Sequence, residues 1–132
     1  MLFGYDEIVE GQTDTVILVE GPFSKTKTDS NLNLDFYDEI KCCSTFGAKL
    51  SVDQIELLKL KGVKNLIFWF EADVLSKTKV IVSKASLYFN VKVSYLHGKD
   101  PNEINSNEAF ELLENSMDWL NFNVNHLNST LE

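Results

Sequence analysis

The 132-residue chain contains no arginine; all 12 of its basic residues are lysines. Any phosphate contact must therefore use a compact point charge and not a bidentate guanidinium fork. Cysteine is almost as scarce, with Cys42 and Cys43 adjacent and no others. Neighbouring residues on a strand point to opposite faces, so these two are poorly placed to pair with each other. The absence of any CxxC or Cys/His cluster argues against a structural zinc site and leaves two reduced cysteines on a buried strand. No apolar run is long enough to span a bilayer, so no membrane association is expected. Residues 1–11 have neither a basic start nor an apolar h-region, so no secretory signal is expected and a cytoplasmic location follows. Without such a signal the glycosylation pattern Asn128-Ser129-Thr130 carries no meaning. Internal repeats, low-complexity linkers and a second domain are also missing, which leaves one domain with one ordinary core.

What is present is globular in composition, 44% hydrophobic, and acidic overall, with a net charge of -8. That balance argues against a protein that coats nucleic acid by bulk electrostatics. The distribution is uneven. Residues 1–14 hold four acids and residues 103–132 hold six, with no lysine in either stretch. The middle holds all 12 lysines against 10 acids, a net of +2. A charged ligand would approach there.

The chain is organised around Thr15–Val19 and the Glu20-Gly21-Pro22 that follows. Val16, Ile17, Leu18 and Val19 read as a short strand buried on both faces. It ends abruptly at Glu20, and Gly21-Pro22 breaks the chain. Residues 2–12 read as a short helix or turn leading into it. Residues 22–39, rich in Ser, Thr, Asn and Asp, read as a long loop with at most a short helix over 32–37. Ile40–Ser44 is a second strand. Ser51 with Gln54 three residues on predicts a capping box, opening a helix that carries Ile55, Leu57, Leu58 and Leu60 and stops at Gly62. Residues 66–70 (LIFWF) form a third, central strand. Residues 76–88 form a helix with Val80, Ile81, Ala85 and Tyr88 on its inner face. Residues 91–96 alternate as an edge strand with one wetter face. A last helix is expected over about 107–127, because Phe110, Leu113, Met117, Leu120, Val124 and Leu127 form one apolar stripe. Strands alternating with helices predict a doubly wound α/β fold with a roughly four-stranded parallel sheet, its core over about 14–104.

Acids then fall in one kind of place. Glu20 follows the first strand, Glu71 and Asp73 the third, and Asp100 the fourth. In open α/β sheets the carboxyl edge is where ligands bind. Adjacent strands lie roughly 4.8 Å apart, so such carboxylates can converge on one cation. Carboxylate and water ligation suits Mg2+ or Mn2+. Lys25, Lys27, Lys77, Lys79 and Lys99 are close by in sequence and can meet phosphates. Acids holding a metal beside such lysines suit phosphoryl chemistry on nucleotides or nucleic acid. The plainer reading of Glu20 alone is a solvated strand end. His97 can assist proton transfer beside Asp100, or be a loop histidine with no role.

Four motifs in order carry a family resemblance: Val19-Glu20-Gly21-Pro22-Phe23-Ser24, Thr45-Phe46-Gly47-Ala48-Lys49-Leu50, Glu71-Ala72-Asp73 and Lys99-Asp100-Pro101. Together they resemble a Toprim domain, closest to the primase-type Toprims of bacterial, phage and plasmid DNA primases, and the likeness covers about residues 2–104. The resemblance implies a compact Rossmann-like Toprim fold. It implies Glu20 as general acid/base or outer metal group, and Glu71, Asp73 and Asp100 as Mg2+ holders, with Asp73 among the catalytic acids. It also implies DNA or nucleotides as ligand, and either a replication-protein partner or a larger primase from which this piece is cut, because a primase needs a template reader and a basic groove that these residues do not supply. The departures are specific. The first acid of the family's DxD is Glu71, Val74-Leu75-Ser76 replaces a small Ala-Gly, Ser24 stands where an aspartate is expected, and Asn102 where a second acid is. Two further readings stay open: a small metal-dependent Toprim nuclease, and a degenerate, non-catalytic Toprim interaction module. A phosphorelay receiver also places acids after strands one and three, but needs an aspartate acceptor where Glu71 stands.

Overall fold

In the computed structural model, residues 1–47, 49–69, 75–94, 103–114 and 117–118 are described. Strand β1 (Thr15–Val19) is followed by helix α1 (Pro22–Leu32), β2 (Ile40–Ser44), α2 (Val52–Leu60), β3 (Asn65–Phe68), α3 (Leu75–Ala85), β4 (Asn90–Val93), α4 (Ser106–Glu114) and the two-residue β5 (Met117–Asp118). Short 3-10 turns cover Tyr5–Glu7 and Leu34–Phe36. The strand order is β2-β1-β3-β4-β5. The first four strands are mutually parallel, and β5 runs antiparallel against β4. The expected four-stranded parallel sheet flanked by helices is therefore present.

Period-two alternation splits the core into two layers. Val16, Leu18, Leu66 and Phe68 meet Ile55 and Leu58 of α2 and Val82 and Ala85 of α3 on one face. On the other, Ile17, Val19, Ile67 and Trp69 meet Leu32 of α1 and Ala109 of α4. This is why the β1 run is continuous and apolar: both of its faces are covered. Each such side chain contributes about 1.5–3 kcal/mol when fully buried. The crossovers from β1 to β2 and from β2 to β3 run in opposite directions, and α1 and α2 lie on opposite faces. One handedness of crossover requires that arrangement. Among the described residues, no helix is long and apolar enough to cross a membrane.

The expected capping box forms. The Gln54 N–H donates to Ser51 Oγ at 3.1 Å, and the Ser51 N–H donates to Gln54 Oε1 at 2.9 Å. Ser51→Ala should lower stability by about 1 kcal/mol in urea unfolding, with the slope unchanged.

Three expectations are corrected. Residues 22–32 are helix and not loop. Ile81 and Ala85 of α3 face inward as expected, joined by Thr78 and Val82, while Val80 is 71% exposed and Tyr88 lies beyond the helix, half-exposed. The last helix stops at Glu114, and Met117–Asp118 pairs with β4 instead of continuing it. A strand at the sheet edge offers unpaired N–H and C=O groups, and β5 takes up part of that edge. Phe110, expected in the apolar stripe, is 45% exposed, and Ala109, Leu112 and Leu113 pack inward. The part of the expected helix over 119–127 lies outside the described residues.

Candidate functional site

The order β2-β1-β3 makes the gap between β1 and β3 the point where chain direction across the sheet reverses. At such a switch point the connections leave to opposite faces and open a crevice at the carboxyl edge. Glu20 is the residue immediately after β1, so it stands at that crevice, partly exposed. Its main chain is held firmly. The Gly47 N–H donates to the Glu20 carbonyl at 2.8 Å, and the Ser44 hydroxyl donates to the same oxygen at 2.9 Å. The Thr45 N–H donates to the Val19 carbonyl at 3.0 Å. The Thr45-Phe46-Gly47 segment is thus the brace that fixes where Glu20 leaves the strand.

Pro22 occupies the first turn of α1, where its missing N–H costs nothing. The helix N-terminus therefore opens at the same edge as Glu20. Across the switch point, the Trp69 N–H continues the pairing by donating to the Leu18 carbonyl at 2.9 Å. The Trp69 indole Nε1–H donates to Ser94 Oγ at 2.9 Å, and Ser94 Oγ donates to the Leu112 carbonyl at 3.0 Å. The ends of β3 and β4 and helix α4 are joined by that chain of bonds.

Glu71, Asp73, Lys99 and Asp100 lie outside the described residues, as does the side chain of Lys77. The lysines that are described do not gather. Lys27 is exposed on α1 and Lys79 is partly exposed on α3, helices that cover opposite faces of the sheet. Lys25 points inward, 4% exposed, with its Nζ paired to both Glu7 and Asp29. Two carboxylates already balance its charge. Burial tends to lower the Lys25 pKa, but its bonds to Asp29 and Glu7 outweigh that and hold it above the ordinary value. Burial raises Asp29 despite the neighbouring ammonium.

This ion-pair cluster lines a cavity of about 820 Å3 between residues 1–7 and α1. Sequence reasoning missed it because the Lys25/Asp29 pair, four residues apart, has meaning only on a helix. Gly4 permits the close approach: its φ is +96°, and a Cβ there would lie 2.6 Å from Lys25 Cε. The two cysteines lie on opposite faces, Cys43 in one core layer and Cys42 in the other, and both are unpaired. Burial pushes Cys43 up to about 12 and Cys42 well above its ordinary value, so neither is a nucleophile at neutral pH. Among the described residues no three His, Cys, Asp or Glu side chains gather where they could hold one metal ion. No protein-family model matches the chain, and no curated protein matches it.

Proposed function

We propose that this chain is a Toprim-type module that binds Mg2+ or Mn2+ at the carboxyl edge of its sheet and acts on nucleic acid, in the manner of the metal-holding part of a DNA primase. The observation that carries this reading is the position of Glu20, at a β1/β3 switch point and braced by Thr45-Phe46-Gly47. The motifs bearing Glu71, Asp73 and Asp100 follow β3 and β4, strands that end at the same edge. The implied donors are all carboxylates, a set that suits a hard cation and not zinc. Such a cation, when bound, neutralises charge on a phosphate and favours nucleotidyl transfer. The chain's own part is to present Glu20 for proton transfer or outer-sphere orientation. Lys27, Lys77, Lys79 and Lys99 would meet phosphates as point charges. A template-binding groove would come from a replication-protein partner or from the rest of a larger primase of which this chain is a piece, since a chain of net charge -8 without arginine offers little broad basic surface.

The test is calorimetric titration of Mn2+ into the wild type, Glu71→Gln and Asp73→Asn. Binding in the wild type that is lost in both variants is the expected result, and primer-synthesis and nuclease assays then separate the two activities. No heat at millimolar Mn2+ would overturn the metal reading. It would favour instead a non-catalytic interaction module, the reading that Ser24 and Asn102, in place of acids, already suggest.

A further inference from the structure

We propose that Phe46 is a stacking surface for a base of single-stranded nucleic acid drawn to the carboxyl edge, an inference that rests on the nucleic-acid reading above. Phe46 is one of two non-glycine residues with positive φ among the described residues, at 58°. A bulky side chain in the left-handed region is uncommon, and persists where the surroundings enforce it. They do so here. The Phe46 N–H donates to Ser44 Oγ at 3.2 Å, and the same hydroxyl donates to the Glu20 carbonyl. The Phe46 main chain is thus one serine away from the Glu20 main chain. Yet what this backbone geometry presents is not buried: Phe46 is 44% exposed. Its ring meets Phe3 edge-on, centroids 6.2 Å apart and planes at 70°. Phe3 is itself bonded through its backbone to Ser44 in both directions, at 3.0 Å each. Phe23, three residues past Glu20, is 81% exposed.

The half-exposed ring makes one edge-on contact, with Phe3, on a left-handed backbone that glycine would adopt without strain. It serves stacking well. Aromatic platforms bind bases without regard to sequence, because every base has a π-face, and add to whatever the lysines supply. That matters in a chain with no arginine and an excess of acid, where phosphate contacts alone supply little attraction.

The experiment uses the full chain with Mn2+ and a short single-stranded oligodeoxynucleotide carrying 2-aminopurine, whose fluorescence is quenched by stacking. The variants are Phe46→Gly, which relieves the backbone, and Phe46→Trp, which keeps a ring. The wild type should bind and quench. Phe46→Gly should bind roughly tenfold more weakly, the size of one stacked base, with no quenching and a melting temperature within a few degrees of wild type. Phe46→Trp should restore both signals. Equal binding by wild type and Phe46→Gly overturns the proposal and leaves the nucleic-acid reading standing. So does a Phe46→Gly variant that loses stability but not affinity, the mark of a purely structural ring. Mn2+ binding without oligonucleotide binding overturns the stacking surface but not the metal site; absence of both overturns the two together.

Discussion

Lys25→Met should destabilise the protein by about 3 kcal/mol at pH 7, and by clearly less at pH 5. Methionine keeps the aliphatic stem, so packing is largely retained and the change isolates the charge. Removing one member of a buried pair leaves the other charged and uncompensated, which costs about 3–5 kcal/mol. The lower end applies, because the Glu7 side chain is 43% exposed and water screens it, whereas Asp29 is more enclosed. Asp29 decides the pH dependence. Its carboxyl already has a raised pKa, chiefly from burial, with Lys25 opposing the rise. Without Lys25 it must rise further. A carboxyl whose folded pKa lies above its unfolded value favours the fold most below the unfolded value, and that advantage is lost as pH climbs through the folded one. Acidification toward pH 5 therefore protonates Asp29 in the variant and recovers stability. Lys25 in the wild type, raised above 10.5, supports the fold below that value and ceases to do so in strong alkali. Urea unfolding at the two pH values checks this, with Lys25→Met/Asp29→Asn as the companion. The double variant should recover most of the loss. An equal penalty at both pH values would mean that Asp29 is not the stranded charge.

The same cluster explains why α1 is hidden in the sequence. A helix is read from an apolar stripe, and α1 has none: its buried residues are Ser24, Lys25, Thr28, Asn31 and Leu32. Ser, Thr, Asn and Asp compete with the backbone for hydrogen bonds and favour turns. Besides Leu32 in the core, what ties α1 to the rest of the chain is polar and long-range: Lys25 pairs with Glu7, and Asn31 Nδ2 donates to the Ile104 carbonyl at 3.0 Å. Neither partner can be read from local spacing. Strands β1 and β3 are legible for the opposite reason, since burial on both faces makes an unbroken apolar run, and β4 is legible from its alternation of buried and exposed residues. The capping box of α2 is legible because it is local. In the last helix, the spacing of Met117 fits a stripe, but the open edge of β4 takes that residue into a strand. Of the candidate site, Glu20 and its edge were legible from an apolar run that ends in an acid. The brace formed by Ser44, Thr45 and Gly47 was visible only as a motif, because its bonds run from two main-chain N–H groups and the Ser44 hydroxyl to main-chain carbonyls. Lys25, expected to face a phosphate, faces two carboxylates, since its direction depends on a helix whose pattern is polar.

Trp69→Ala should cost about 4 kcal/mol, the largest loss expected from any single core substitution here. Trp69 is fully buried between the sheet and the α1/α4 layer. Truncating such a ring costs about 3–5 kcal/mol for lost contacts and the cavity left behind, and Ser94 Oγ loses its indole donor as well. A domain stable by only about 5–15 kcal/mol would be left marginal, so the informative partner is Trp69→Phe. Phenylalanine fills most of the space and removes the N–H. Its cost should be about 1–2 kcal/mol in urea unfolding followed by circular dichroism. The indole ties Trp69, two residues before Glu71 in sequence, to Ser94 just after β4, and through it to α4. If the acids after β3 and β4 share a cation, this bond sets the spacing from which both segments depart. Losing a group that orients a metal ligand typically weakens affinity about 10–100-fold. Trp69→Phe should therefore bind Mn2+ at least tenfold more weakly while remaining folded. Unchanged Mn2+ affinity with the expected small loss of stability would show that the indole supports the core and does not position the site.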